Sequence, residues 1–226
     1  VVVLIGGSAV VMSEWIDNVQ SILNAWYPGE EGGNAVADVL FGDYNPSGKL
    51  PITYPIDEAQ LPLNYSHKPT GRSDDYLNLT GEPLFPFGYG LSYSEFDYKD
   101  LNIEPAPGNT SSYTVSFWVK NTGKYPANEV VQFYLLDKVV SVTQPITRLI
   151  HFKPVSLAPN EARKVSFLIT EEDLSMLDKD LNRVVEPGDF RIMIGRSCKD
   201  IRLKGTIRQQ SKINLGTVFR SLQAKL

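Results

Sequence analysis

The sequence predicts an α/β layer followed by an all-β antiparallel sandwich, and three observations carry that expectation. Near the start, short continuous apolar runs alternate with a stretch whose apolar residues recur at helical spacing. Past the middle, apolar and polar residues alternate in short segments divided by Gly, Pro and Asn turn signals. Between the two lies a stretch rich in Pro, Gly, Asn, Ser and Tyr that has neither period.

Taken in order, the opening VVVLI at 1–5 reads as a buried strand entered from its middle, because parallel strands covered on both faces are continuously apolar. Its first residue is not Met, and no basic n-region or small-residue cleavage site marks a signal peptide, so the chain is expected to begin inside a domain. The Gly6-Gly7-Ser8 turn leads to a short helix within 10–19, and 21–26 is a second strand ending at Tyr27-Pro28-Gly29. Residues 34–41 form a helix: Val36, Val39 and Leu40 have helical spacing and Gly42 supplies the C-terminal stop. Helices laid against a parallel sheet fit this alternation, although the piece is too short to complete such a sheet alone.

From 43 to 90, Asn45-Pro46-Ser47-Gly48 and Pro69-Thr70-Gly71 favour turns over periodic elements. A long ordered segment without secondary structure is usually functional or pinned to a neighbouring domain, so a site lip or an interdomain seam is expected here. Strands follow at 113–119, 130–135, 162–169 and 190–194, divided by turns such as Asn121-Thr122-Gly123 and Glu186-Pro187-Gly188. The rhythm and size are those of an immunoglobulin or fibronectin type sandwich of about seven strands. The tail at 209–226, with Val218, Phe219 and Leu222 at helical spacing, is either a short amphipathic helix or a frayed end.

Composition excludes several classes. A formal net charge of −4 gives no excess of Lys and Arg for a phosphate-binding surface, so nucleic acid is not an expected partner. No apolar run approaches the ~20 residues that span a bilayer, and no membrane partner is expected. The single cysteine, Cys198, rules out an intrachain disulfide framework, and the two histidines, His67 and His151, have no metal-ligand spacing. No cofactor or metal is expected.

The most specific stretches are WYPGEEGGNAVADVLFGDYNPSGKLPITYP at 26–55 and PLFPFGYGLSYSEFDY at 83–98. Both resemble the corresponding blocks of family 3 glycoside hydrolases, bacterial β-glucosidases in particular. VKNTGKYPANEVVQFYL at 119–135 and VEPGDFRIMIG at 185–195 are similar to the fibronectin type III-like module that follows in that family. The resemblance runs from Val1 to about Ile207. It implies a division into the C-terminal part of the family α/β domain at 1–55, an extended linker at 56–97, the fibronectin type III-like sandwich at 98–208 and a tail at 209–226. It also implies a retaining enzyme that hydrolyses terminal, non-reducing β-D-glucosyl or related residues, in the periplasm or secreted. The family's nucleophile is an aspartate of an N-terminal barrel, and its acid/base glutamate lies on a loop ahead of the VVVLI-like strand. Neither position exists in this chain, so no catalytic residue is assigned and the chain alone is expected to be inactive. Its implied partners are the N-terminal catalytic barrel of the same parent enzyme and an oligosaccharide or β-glucoside substrate, with a homo-oligomer possible.

The remaining candidates are weighed on their own residues. The glycines before the helix at 34–41 could cradle a phosphate, but no phosphate-loop pattern is present and Glu30 and Glu31 stand where the anion would sit, so a packed turn is expected. Those carboxylates complement the helix dipole, while Asp74 and Asp75 read as solvated loop residues. The loop at 64–72 offers His67, Lys68 and Arg72 to sugar hydroxyls or to carboxylates of a neighbouring domain, and a site lip, an interdomain contact and a solvated loop all stay open. Trp26, Tyr89, Tyr93 and Trp118 could stack on a pyranose ring, yet most are expected in the core, Trp118 and Phe133 above all. Phe85, Phe87 and Tyr89 alternate as linker anchors. The competing function is a free-standing carbohydrate-binding or adhesion module.

Overall fold

A computed structural model describes residues 1–70, 78–137 and 140–217. Arg72, Asp74 and Asp75 lie outside the described residues, as do Val218, Phe219 and Leu222 of the tail.

Strands β1 (Val2–Ile5) and β2 (Ile22–Trp26) pair in parallel, Val2 facing Ile22 and Leu4 facing Asn24, with a register shift before Ile5. The connection carries one short 3-10 turn, Ile16–Asn18. Helix α1 (Gly32–Phe41) begins at Glu31, whose carboxylate accepts a 2.6 Å hydrogen bond from the Asn34 amide. It ends at Gly42, whose φ of 87° is left-handed and whose N–H bonds the Val39 carbonyl, the role glycine fills because it lacks a Cβ. The turn expected at 29–33 ends at Glu31, since Gly32 and Gly33 already belong to the helix, and Glu30 and Glu31 stand at its start. The layer leaves much apolar surface open: Phe41 is 85% exposed and Tyr27 79%.

The turn-rich stretch at 43–90 folds back on itself. Leu50 N–H bonds the Tyr89 carbonyl and Gly88 N–H the Leu50 carbonyl, each at 2.8 Å, while Tyr54 pairs with Phe85. Buried Gln60 braces the loop between these arms, accepting from Ile56 N–H and donating to the carbonyls of Thr80 and Glu82.

The sandwich follows: β3 (Phe96–Ala106), β4 (Asn109–Asn121), β5 (Ala127–Asp137), β6 (Arg148–Leu157), β7 (Ala162–Ile169), α2 (Glu171–Leu174), β8 (Met176–Leu177), β9 (Asn182–Val185), β10 (Gly188–Gly195), β11 (Ile201–Gln209) and β12 (Ile213–Thr217). One sheet has the order β3-β4-β7 and the other β11-β10-β5-β6, every pairing antiparallel. Seven strands thus face one another, as the turn spacing implies. Alternation sends Val115, Phe117 and Val119 of β4, Val131, Phe133 and Leu135 of β5, and Phe190, Ile192 and Ile194 of β10 into one shared core.

Two expectations change. Trp118 is not in the core: it is 38% exposed, on the outer side of β4, because Phe117 and Val119 take the inward positions and the pleat leaves their neighbour outside. The start of the tail is neither helix nor frayed end: Ile213–Thr217 is a strand paired with β9 in a small sheet of order β12-β9-β8. That pairing satisfies the backbone of these residues, while Val218, Phe219 and Leu222, which suggested the helix, lie outside the described residues.

Candidate functional site

The densest polar cluster of the described residues lies where the linker meets the sandwich. Glu129 enters it from β5 at a position otherwise reserved for apolar side chains, and only 1% of its side chain is exposed. Its two oxygens have different partners. Oε1 lies 3.5 Å from Nζ of Lys49, which comes from the turn-rich stretch at 43–90, and Oε2 lies 3.1 Å from Nε of Arg196, at the end of β10. The latter contact is an ion pair without hydrogen-bond alignment, since Arg196 Nε and Glu129 Oε2 both lack a well-directed partner among the described residues. Lys49 completes its shell by donating to the Gly90 carbonyl at 2.9 Å. The Arg196 guanidinium also sits 5.6 Å above the Phe96 ring and reaches Glu95 at 3.4 Å.

Burial sets the electrostatics. Loss of water pushes the Glu129 carboxyl above the usual carboxylate range, against the pull of Lys49 and then Arg196. The same desolvation holds the Lys49 amine below its ordinary value, with Glu129 opposing. Two positive groups around one carboxylate is the arrangement that makes a buried negative charge tolerable. Tyr98, whose hydroxyl is buried with no hydrogen-bond partner among the described residues, is pushed well above the usual tyrosine range by burial and then by Glu129.

Beside the ions runs a neutral network. Gln132 of β5 donates to the carbonyls of Gly88 (2.9 Å) and Arg196 (2.6 Å), and its oxygen accepts from the Tyr134 hydroxyl at 2.5 Å. Gly88 has a φ of 81°, and a Cβ there would collide with the Gln132 amide, so this approach requires glycine. A Cβ on Gly90 would likewise meet the Gly48 carbonyl. Cys198 N–H bonds the Phe87 carbonyl at 3.1 Å, and burial pushes the Cys198 thiol up to about 11. Asn45 closes the other end: its amide donates to the Pro126 carbonyl, and its oxygen accepts from Ser92 and from Tyr93 N–H. The linker grips the α/β layer as well, through Asn24 to the Tyr54 hydroxyl at 2.8 Å and the Tyr93 hydroxyl to the Val39 carbonyl.

The loop containing His67 and Lys68 lies against the sandwich. The His67 carbonyl accepts from Ile146 N–H at 2.9 Å, Ser66 donates to the Thr147 carbonyl, and Leu149 N–H donates to the Tyr65 hydroxyl. The Tyr65 ring stacks on Phe87 with centroids 4.0 Å apart. Lys68 is exposed, the His67 ring nitrogen Nδ1 lies 2.9 Å from the Lys68 carbonyl, and Arg72 lies outside the described residues. Sequence reasoning did not find Lys49, Glu129, Gln132 or Arg196. The available signal was the pair Glu129 and Gln132 within the otherwise apolar run of β5, since a buried polar group in a strand needs a partner from elsewhere.

The turn-rich stretch thus joins the α/β layer through neutral hydrogen bonds and the sandwich through a buried charge as well. Residues 1–93 match the glycosyl hydrolase family 3 C-terminal domain, and 129–198 match the fibronectin type III-like domain. The chain belongs to glycoside hydrolase family 3, as its C-terminal portion. It is 40% identical over 206 residues to a periplasmic β-glucosidase of Salmonella typhimurium, covering 86% of this chain and 27% of that protein. Against a β-xylosidase of Formosa agariphila it is 43% identical, covering 90% of this chain and 29% of the relative. The crystal structure of a β-glucosidase from Listeria innocua in complex with isofagomine superposes with a TM-score of 0.85 at 33% identity, covering 92% of this chain and 31% of that one. The chain thus spans roughly three-tenths of the length of the relatives it matches.

Proposed function

We propose that this chain is the C-terminal scaffold of a retaining glycosidase that releases terminal, non-reducing β-D-glucosyl or related residues such as β-xylosyl, with nucleophile and acid/base supplied outside these residues. The observation that carries the reading is 40% identity with a β-glucosidase maintained across 86% of the chain. The carboxylates seen here support it. Glu31 holds a helix start, Glu129 is committed to the buried seam and Asp200 to Arg202, whereas retention needs two carboxyl groups about 5–5.5 Å apart across a sugar.

Its partner in this reading is the catalytic barrel of the same parent enzyme, and the exposed Phe41 and Tyr27 of the α/β layer are apolar surface suited to domain contact. The loop bearing His67 and Lys68, continuing to Arg72, belongs to this seam or to the lip of the sugar pocket; its backbone bonds to the sandwich favour the seam. The periplasmic β-glucosidase among the relatives supports a periplasmic or secreted location in this reading.

The test is an aryl β-glucoside and aryl β-xyloside assay on the purified 226-residue chain and on a longer parent protein. Activity in the parent alone is expected. Hydrolysis by the 226-residue chain would refute the scaffold reading, and an inactive parent would refute the glycosidase.

A further inference from the structure

We propose that the outer face of the β3-β4-β7 sheet, centred on Trp118, is a binding platform for a carboxylate-bearing polysaccharide. The register builds the platform. Trp118 stands between Lys99 of β3 and Lys164 of β7 in one row across the sheet, and Ser116 stands opposite Ser166 in another row of the same face. Leu168, 54% exposed, extends the apolar surface along β7. Both flanking lysines are exposed, and neither forms an ion pair with any described residue. Asp97 lies on the same face one row away, opposite Lys120, and Glu104 stands opposite Thr114 beyond the serine row, so the row of Trp118 itself carries lysines alone.

A partly exposed indole can offer its π-face to the C–H groups of a pyranose ring, and the exposed Ser166 offers a short hydroxyl in the next row, Ser116 opposite it being buried. Two unpaired ammonium groups on either side of that ring, in a chain whose net charge is −4, select against a neutral polymer as the best ligand and for one carrying carboxylates. The sugar part of this assignment rests on the glycosidase reading above; the charge part rests on the register alone. Such a face would hold an acidic polymer while the sugar chemistry proceeds elsewhere in the parent protein.

The experiment is native affinity electrophoresis of the intact 226-residue chain in gels containing carboxymethyl cellulose or, in parallel, hydroxyethyl cellulose. Retardation by the carboxylated polymer is expected, several-fold weaker with the neutral one and weakened by salt. Trp118→Ala should reduce the affinity roughly tenfold. Lys99→Gln with Lys164→Gln, which leaves the apolar ring in place, should abolish the preference for the carboxylated polymer. Absence of retardation, retardation unchanged by Trp118→Ala, or equal retardation in both gels would overturn the proposal. So would concentration-dependent self-association in sedimentation that Trp118→Ala removes, which would give the face to a second copy. Loss of binding with parent glycosidase activity intact sinks this inference alone; an inactive parent with retardation intact sinks only the glycosidase reading.

Discussion

The two ends of this chain bury their apolar residues differently. In the sandwich, strands from two sheets close on each other, and Phe117, Phe133, Phe190 and Ile192 lose all contact with solvent. In the α/β layer a two-stranded sheet and one helix leave Phe41 and Tyr27 in water, and Met12 and Tyr54 are its large side chains fully buried among the described residues. The contrast shows where stability resides: the sandwich supplies its own core, whereas the layer buries little of its own and is braced by the turn-rich stretch that follows it. It also argues against a free-standing sandwich, because Glu129, buried near the start of β5, is partly neutralised by Lys49 from the turn-rich stretch ahead of the sandwich.

The contrast breaks most sharply at Phe133. Its truncation to Ala is expected to cost about 3–5 kcal/mol, because the facing sheets cannot collapse into the gap, whereas Phe41→Ser should stay within about 0.5 kcal/mol. Urea melts of the two variants compare the two regions directly; similar losses would mean that the layer has a core of its own.

The seam comes next. Lys49→Met leaves Glu129 with Arg196 as its single close cation and is expected to cost about 3 kcal/mol, near the low end for breaking a buried pair. Adding Glu129→Gln should recover part of that loss. A denaturation cycle on the four proteins checks this, and strictly additive losses would show that Lys49 and Glu129 are not coupled.

Trp118→Ala should cost only about 1 kcal/mol, since the ring is partly solvated and leaves no sealed cavity. A loss equal to that of Phe133→Ala would place the ring in the core after all.

The smallest effects are those of pH, and their signs oppose each other. Arg202 holds two hydrogen bonds to Asp200 and keeps its carboxyl below the usual range. That stabilisation is present above the ordinary aspartate value of about 4 and is lost as pH falls through the lower folded value. At this half-exposed pair it amounts to on the order of 0.5 kcal/mol. Glu129 is raised by burial, so its contribution is present below the ordinary glutamate value of about 4.3 and is lost as pH rises through the raised folded value. Thermal melts of Glu129→Gln between pH 5 and 7 should therefore be flatter than those of the unaltered chain, and Asp200→Asn should blunt the decline below pH 4. A steeper pH 5–7 profile in Glu129→Gln would reverse the sign assigned to burial.

Legibility in the sequence followed position in the sheets. Strands β4, β5 and β10 are interior and announced themselves by alternation, as did β7. Within the two facing sheets, the strands that sequence reasoning did not name, β3, β6 and β11, are all edges; the short strands of the β12-β9-β8 sheet were not named either. Edges carry charges, proline and glycine that discourage further pairing, as Lys99, Pro154 and Gly205 do here, and this blurs the period. Trp118 was misplaced for a different reason: its size suggested burial, while strict alternation with Phe117 and Val119 put it outside. The seam was hidden because its partners, Lys49, Glu129 and Arg196, are far apart in sequence, and the long-range pairing of strands alone brings them together. The glycines and Lys49 of the family motifs are explained by it after the fact: Gly88 and Gly90 leave room for Gln132 and Gly48, and Lys49 meets the buried carboxylate.

Cys198 gives this seam its own gauge. It is the chain's one thiol, its amide is tied to Phe87 of the linker, and with the thiol pushed up to about 11 roughly one molecule in a thousand carries the thiolate at pH 8, and that thiolate is the form that alkylates. Were the linker to lift away, water would reach the sulfur and its acidity would return toward about 8.5. The rate at which iodoacetamide consumes this thiol therefore times the opening of the joint, and it does so in the unaltered chain, with no label introduced.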